Sequence, residues 1–177
     1  MTGHIPATDW ADAVHTLFTT HRVDLISFVP DGGHKRLIAL CQADPAMRTV
    51  TLTTEKEGVA LAAGAFLGGR RAALLMQSSG VGNCVNMLSL PHICTMPFLT
   101  LVTMRGEWGE FNPWQVPMGR ATPQAFEIMG TRVIRVDRLE ELGDVMDNAT
   151  SMAFEGEQAI AVLLSQRLLG RKKWTAK

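Results

Sequence analysis

Four short polar segments follow apolar runs in this 177-residue chain, and their residue types and spacing could do chemistry: PDGGH at 30–34, TTEKEG at 53–58, QSSGVGN at 77–83 and the stretch that begins at Arg105. Glu55 comes directly after the apolar run TVTLTT and is followed by Gly58, Ala60, Ala62, Ala63 and Gly64. A carboxylic acid leaving a strand end can share a proton with a ligand base. Two readings stand side by side. Glu55 is either a first-turn carboxylate favoured by the helix macrodipole, with small residues serving helix packing, or an acid held against a ligand that packs close. Glu57 falls on another side of the same helix and reads as a surface residue.

The second segment offers Ser78, Ser79, Gly80, Gly82 and Asn83. Glycines permit close approach of backbone to a ligand, and a helix start offers free N–H groups; taken alone, the segment reads equally as a structural turn. Asp31, His34, His92 and Arg105 are the polar residues at or near strand ends that could face a small anionic substrate. Arg105 is foremost among them, because a guanidinium can bind an anionic group through a forked hydrogen bond. Cys84 has no base arranged with it and reads as a core cysteine.

These segments need a frame to position them, and the hydropathy pattern supplies one. Thr8 or Asp9 caps a first helix in which Trp10, Val14, Leu17 and Phe18 share a face. Near-continuous apolar runs then alternate with helical periods: VDLISFVP, RTVTLTT, RAALLMQ, PFLTLVTM, TRVIRV and QAIAVLLS. Such runs suit strands buried on both faces of a parallel sheet. The fold class is α/β: a three-layer, doubly wound, mostly parallel sheet of about six strands with helices on both faces. Ligands of such sheets bind beyond the carboxyl ends of the strands, where the polar segments fall. GVGNCVNMLSLPH reads as one helix. From Arg105 the rhythm stops, and RGEWGEFNPWQVPMGRATP reads as a long loop before a helix near Pro123 to Gly130; loops of that length usually bind or cover something. A domain over residues 1–167 and a basic tail over 168–177 complete the division.

Glu55 followed nine residues later by Gly64 resembles the pyrimidine-domain motif of thiamine-diphosphate-dependent 2-oxo-acid decarboxylases. The Ser- and Gly-rich turn with Asn83 is similar to the same family. VPDGG and the stretch RGE…GRAT resemble the corresponding segments of sulfopyruvate and phosphonopyruvate decarboxylases, so the likeness runs over nearly the whole chain. Phe28 and Gly32-Gly33 depart from the usual turn, and EWGEFNPWQ is unusually aromatic. In that family the resemblance implies that the Glu55 carboxyl hydrogen-bonds N1′ of the cofactor's aminopyrimidine and favours its imino tautomer, with Ser78, Ser79, Gly80, Gly82 and Asn83 lining the cofactor. The tautomer removes the thiazolium C2 proton before attack on a 2-oxo acid, which then loses CO2.

The resemblance covers half of such an enzyme. The Gly-Asp-Gly and Asn-pair signature that holds Mg2+ and diphosphate is absent from the sequence, so it implies a partner β subunit carrying those ligands, no metal ligand on this chain, and a heterotetramer of two α and two β chains. Composition narrows the rest. Seventeen basic and seventeen acidic side chains leave a formal charge of zero, without the basic excess that nucleic acid or an anionic membrane demands. No apolar run reaches the roughly 18 residues of a membrane span, no leader is visible, and Cys41, Cys84 and Cys94 lack disulfide or zinc spacing; a cytoplasmic location is expected. Two other classes stay open on the residues: a non-catalytic binding or regulatory module of the same fold, and a flavodoxin-like nucleotide-binding protein using GVGN.

Overall fold

The structure, a computed structural model, describes residues 9–170. The chain runs α1 (Trp10–Thr20), β1 (Val23–Phe28), α2 (Lys35–Ala43), β2 (Arg48–Thr51), α3 (Glu55–Leu67), β3 (Arg71–Gln77), α4 (Ser78–Cys84), α5 (Ser89–Ile93), β4 (Phe98–Thr103), a 3-10 turn (Pro113–Gln115), α6 (Val116–Glu127), β5 (Arg132–Val136), α7 (Leu139–Phe154), β6 (Ala159–Leu164) and α8 (Gln166–Leu169). The six strands form one sheet in the order β2-β1-β3-β4-β6-β5. Every pairing is parallel. The expected doubly wound α/β architecture is therefore present, and the sheet is wholly parallel.

The apolar runs are continuous because each strand is covered twice. On β3, Ala73 and Leu75 face the layer that contains Val14, Phe18, Leu37 and Met146, while Leu74 and Met76 face Val59, Val81 and Phe126. Successive side chains of a strand point to opposite faces, so both sets must be apolar. Helices α1, α2 and α7 form one layer, and α3, α4 and α6 form the other, with α5 packed on α3.

Strand order reverses direction twice. The chain steps from β1 outward to β2 and returns to the far side of β1 as β3; it later passes from β4 over β6 to β5 and comes back. Carboxyl-end loops diverge at each reversal and leave a crevice. The first lies between the exits of β1 and β3, the second between those of β4 and β6.

Three local expectations need correction. The stretch 80–92 is two short helices, α4 and α5, with a turn between them. The expected loop over 105–123 is shorter, since α6 starts at Val116, with Pro117 in its first turn and Pro123 inside it. A first-turn proline loses no intrahelical bond. Pro123 does lose one, but Gly119, Thr122 and Phe126 are buried on that helix and hold it. The third concerns the tail: Leu168 and Leu169 pack against the core. Residues 171–177 of it, and Thr8 as an alternative cap, lie outside the described residues; Asp9 caps α1 by accepting from the Ala11 N–H at 3.2 Å.

Candidate active site

Glu55 owes its position to the way β2 ends. Leu52 still donates to the Phe28 carbonyl (2.9 Å), after which the Glu57 carboxylate turns back to accept from the N–H groups of Thr53 (2.9 Å) and Thr54 (3.5 Å). Glu57 thus finishes the helix start, exposed, as its spacing predicted. Gly58 then lets α3 press on the sheet, where a Cβ would collide with Leu74. The outcome aims Glu55 across the face of α4. There Gly80 has no side chain, and a Cβ on it would overlap the Glu55 carboxylate. Asn83 donates its Nδ2–H to Glu55 Oε2 at 2.8 Å.

Glu55 is only 9% exposed, although α4 residues Gly82 and Asn83 beside it are open to solvent. Burial, with the nearby Glu55 charge adding to it, pushes the Cys84 thiol up to about 12. Cys84 is completely buried and unreactive, as a core cysteine should be.

Asp31 forms the second centre, at the β1/β3 reversal. Its Oδ1 accepts from Gln77 Nε2 (3.0 Å) and Gly33 N–H (3.1 Å), and its Oδ2 from the Thr103 hydroxyl (2.6 Å). Ser79 Oγ donates to Gln77 Oε1 at 3.1 Å, which links the α4 start to the same network. Burial alone would raise the Asp31 pKa; the imidazole of His34, the Thr103 hydroxyl and the Gly33 N–H outweigh it and hold the carboxyl well below the usual range. His34 is itself fully buried, edge-on to Trp10 at 6.0 Å between ring centroids. Its Nδ1 lies 3.2 Å from Asp31 Oδ2, near enough for an ion pair but too poorly aligned for a hydrogen bond.

The third group organises residues 105–112. Glu110 accepts from Arg105 Nε (2.7 Å) and Nη2 (2.6 Å), Gly106 N–H (3.1 Å), Asn112 N–H (2.9 Å) and Gln166 Nε2 (2.9 Å). The Arg105 contacts lower its carboxyl to about 2, with the Asn112 and Gly106 N–H groups adding to them against a smaller burial effect. Gln166 returns from the β6 exit to accept from the N–H groups of Glu107 (3.1 Å) and Trp108 (2.9 Å). Between this loop and Asp31 lies a cavity of about 200 Å3, walled by Asp31, Gly33, Thr103, Arg105 and Gln166.

Most of the expected residues thus meet at the carboxyl edge: Glu55, Asp31, Ser78, Ser79, Gly80, Gly82, Asn83 and Arg105. Three are placed otherwise than the chemistry expected of them. His92 lies in the last turn of α5 and packs on Gly130 in the turn before β5, at the amino edge of the sheet; it precedes its strand, so it cannot share the site. His34 is sealed behind Asp31. The Arg105 fork is already closed on Glu110. Ser78, fully buried, uses its Oγ to accept from the Arg105 N–H at 3.0 Å. Gln77, Thr103, Glu110 and Gln166 were not singled out from the sequence. Gln77 and Thr103 could have been, since a polar residue that closes a buried apolar strand at its carboxyl end is a departure that asks for a partner.

Comparison with known proteins follows the same line. No family model matches the chain. It is 36% identical over 157 residues to the sulfopyruvate decarboxylase subunit alpha of Methanothermobacter thermautotrophicus, covering 88% of this chain and 95% of that one. The chain belongs to the sulfopyruvate decarboxylase alpha-subunit family. It is also similar to the phosphonopyruvate decarboxylase of Streptomyces viridochromogenes, with 39% identity over 108 residues, which are 60% of this chain and 27% of that one. Membership bears out the resemblance read from Glu55, VPDGG and RGE…GRAT, and gives no support to a flavodoxin-like alternative. In structure, the chain is similar to a 2-oxoglutarate:ferredoxin oxidoreductase from Magnetococcus marinus, with a TM-score of 0.69 and 14% identity; the match spans 93% of this chain and 31% of that one. That likeness concerns the fold.

Among the described residues no three His, Cys, Asp or Glu side chains converge to hold a metal, and no helix is long and apolar enough to cross a membrane.

Proposed function

We propose that the chain is the α subunit of a two-chain, thiamine-diphosphate-dependent decarboxylase that removes CO2 from a small anionic 2-oxo acid, sulfopyruvate- or phosphonopyruvate-like, to leave an aldehyde. The observation that carries this reading is the Glu55 carboxylate, buried against a glycine made necessary by it and oriented by Asn83 at the carboxyl edge. These residues fit the aminopyrimidine end of the cofactor: a proton-sharing acid, a face without side chains at Gly80 and Gly82, and the Asn83 amide. They do not fit its diphosphate end, which needs hard oxygen ligands around Mg2+. Those ligands belong on a partner β subunit, most simply in a heterotetramer of two α and two β chains in the cytoplasm.

When bound, the cofactor supplies the electron sink for the departing carboxylate. The chain's own part is to place one proton. Glu55 holds it at N1′ of the aminopyrimidine, with Asn83 fixing the second carboxylate oxygen so that the first is aimed. Asp31, kept ionised by His34, Thr103 and Gly33, lines the substrate side with Gln77 behind it. Arg105 contributes through its pairing with Glu110, which shapes the loop that closes the cavity. His92 has no part.

The test is reconstitution. The purified chain, mixed with the chain that bears Gly-Asp-Gly and the Asn pair, should release CO2 from sulfopyruvate or phosphonopyruvate in the presence of thiamine diphosphate and Mg2+. The chain alone should not. Turnover by the chain alone would overturn the division of the site, and none from the complete mixture with either substrate would overturn the substrate class.

A further inference from the structure

At the amino edge of the sheet, opposite Glu55, lies an open cleft of about 570 Å3 lined by His21, Arg22, Asp24, Arg70, Arg71 and Glu155 among others. Its volume falls within the roughly 300–1,000 Å3 of small-molecule sites. β1 has six residues, so at about 3.3 Å per residue some 20 Å separate the two edges. Nothing in the decarboxylase site uses these groups.

Two of the three arginines are held by partly exposed contacts. Arg70 pairs with Asp24 (3.1 Å), and Arg71 donates to Glu155 Oε1 and the His21 carbonyl (both 3.0 Å) and lies over the Phe154 ring at 5.2 Å. Side chains in both pairs are a third or more exposed, so water and salt screen them and either can exchange its partner. Among the described residues Arg22 has no ion-pair partner at all. Three arginines and two carboxylates therefore line one cleft.

Arg22 is also held in an unusual way. It follows α1, where the His21 N–H bonds Leu17 O and the Arg22 N–H bonds Thr19 O, and its φ is 57°. That left-handed position after a helix ordinarily goes to Gly or Asn, because a Cβ is strained there. Thr95 and Glu157 share the conformation, so φ alone marks no site. What sets Arg22 apart is an uncompensated cation that lines a cleft beside two more. Guanidinium forks match the oxygens of phosphoryl and sulfonyl groups, and a dianion would relieve the mutual repulsion.

We infer that this cleft binds a small oxyanion ligand of the phosphoryl or sulfonyl class, separately from the site at Glu55. The test titrates the full chain, alone and with its partner, with inorganic phosphate and with sulfate at ionic strength held constant by NaCl. At ten times Kd the melting temperature should rise by about 3–6 °C, and the amide signals of Arg22, Arg70 and Arg71 should shift while those of Glu55 and Gly80 stay. Stronger binding of phosphate than sulfate assigns the phosphoryl class, the reverse the sulfonyl class. Arg22→Gly, which keeps the turn, should weaken binding about tenfold or more. Glu155→Gln, which frees Arg71, should tighten it a few-fold. An equal response of wild type and Arg22→Gly, an equal effect of NaCl alone, or shifts confined to residues around Glu55 would overturn the assignment. So would an Arg22→Gly protein that binds phosphate normally yet loses its partner, since the cleft would then be an interface.

Discussion

The two edges of the sheet hold their charges in opposite ways. At the carboxyl edge three acids, Asp31, Glu55 and Glu110, are largely withdrawn from water and satisfied by side-chain amides, a hydroxyl, backbone N–H groups and one arginine. At the amino edge three arginines stand at the surface in screened pairs or unpaired. Buried acids with several donors are fixed in place, because losing any one partner strands a polar group. Exposed arginines can trade partners at little cost. Position is what proton transfer requires, and exchangeability is what reversible anion binding requires.

The sharpest way to break this contrast is Glu55→Gln. General acid-base groups contribute about 10²–10⁴ in rate. In the reconstituted enzyme, steady-state CO2 release should fall by at least about 10²-fold, with the melting temperature and partner assembly nearly unchanged because the amide still meets Asn83. Turnover within a few-fold of wild type would point to another acid.

Next in size is Glu110→Gln. The side chains of Arg105 and Glu110 are only 12% and 4% exposed, and breaking a buried pair from one side costs about 3–5 kcal/mol. The pH dependence has a definite sign. The Glu110 pKa is lowered to about 2 in the folded chain, so its stabilisation is fully present above the ordinary carboxylate pKa and is lost as pH falls from about 4.5 toward 2. A shift of that size corresponds to about 3 kcal/mol. Denaturant melts at pH 7 and pH 3 should differ less in the variant than in wild type; an identical difference would remove Glu110 from the acid sensitivity, leaving Asp31 to explain it.

Gly119→Ala comes third. A Cβ there would run into the Arg105 carbonyl oxygen, which is backbone and cannot step aside. Overpacking of this kind costs about 1–3 kcal/mol, against a helix-propensity gain of up to about 1 kcal/mol. A chemical melt should show a net loss of about 1–2 kcal/mol; a gain would mean that α6 is free to move off the loop.

These three positions also show what could be read without a structure. The place of Glu55 at the start of α3 was legible because an acid between an apolar strand and a run of small residues is a local pattern, and the six strands were legible because two-sided burial leaves uninterrupted apolar runs. The start of α6 was hidden, since Pro123 is a strong local breaker and what overrides it, Gly119 against Arg105 and Thr122 near the Ser78 carbonyl at 3.3 Å, is tertiary. Arg105 was legible as a fork but not as a filled one. Its neighbour Glu110 is fixed partly by Gln166, 56 residues away. His92 was misplaced because an apolar helix-strand boundary looks alike from either end of a strand.

The smallest effect sharpens the amino edge. Glu157 shares the left-handed conformation of Arg22, with φ 51°, in the turn between α7 and β6, but it does not line the arginine cleft. Replacing either by Gly removes the Cβ strain, about 1–2 kcal/mol, and returns part of it as unfolded-chain entropy. Both Glu157→Gly and Arg22→Gly should therefore stabilise the chain by roughly 0.5–1 kcal/mol in denaturant melts. They should part company in phosphate: Glu157→Gly keeps the full increment in melting temperature, and Arg22→Gly loses most of it. Loss in both would trace the increment to the turns and not to the guanidinium, because backbone relaxation is the one change that the two substitutions share.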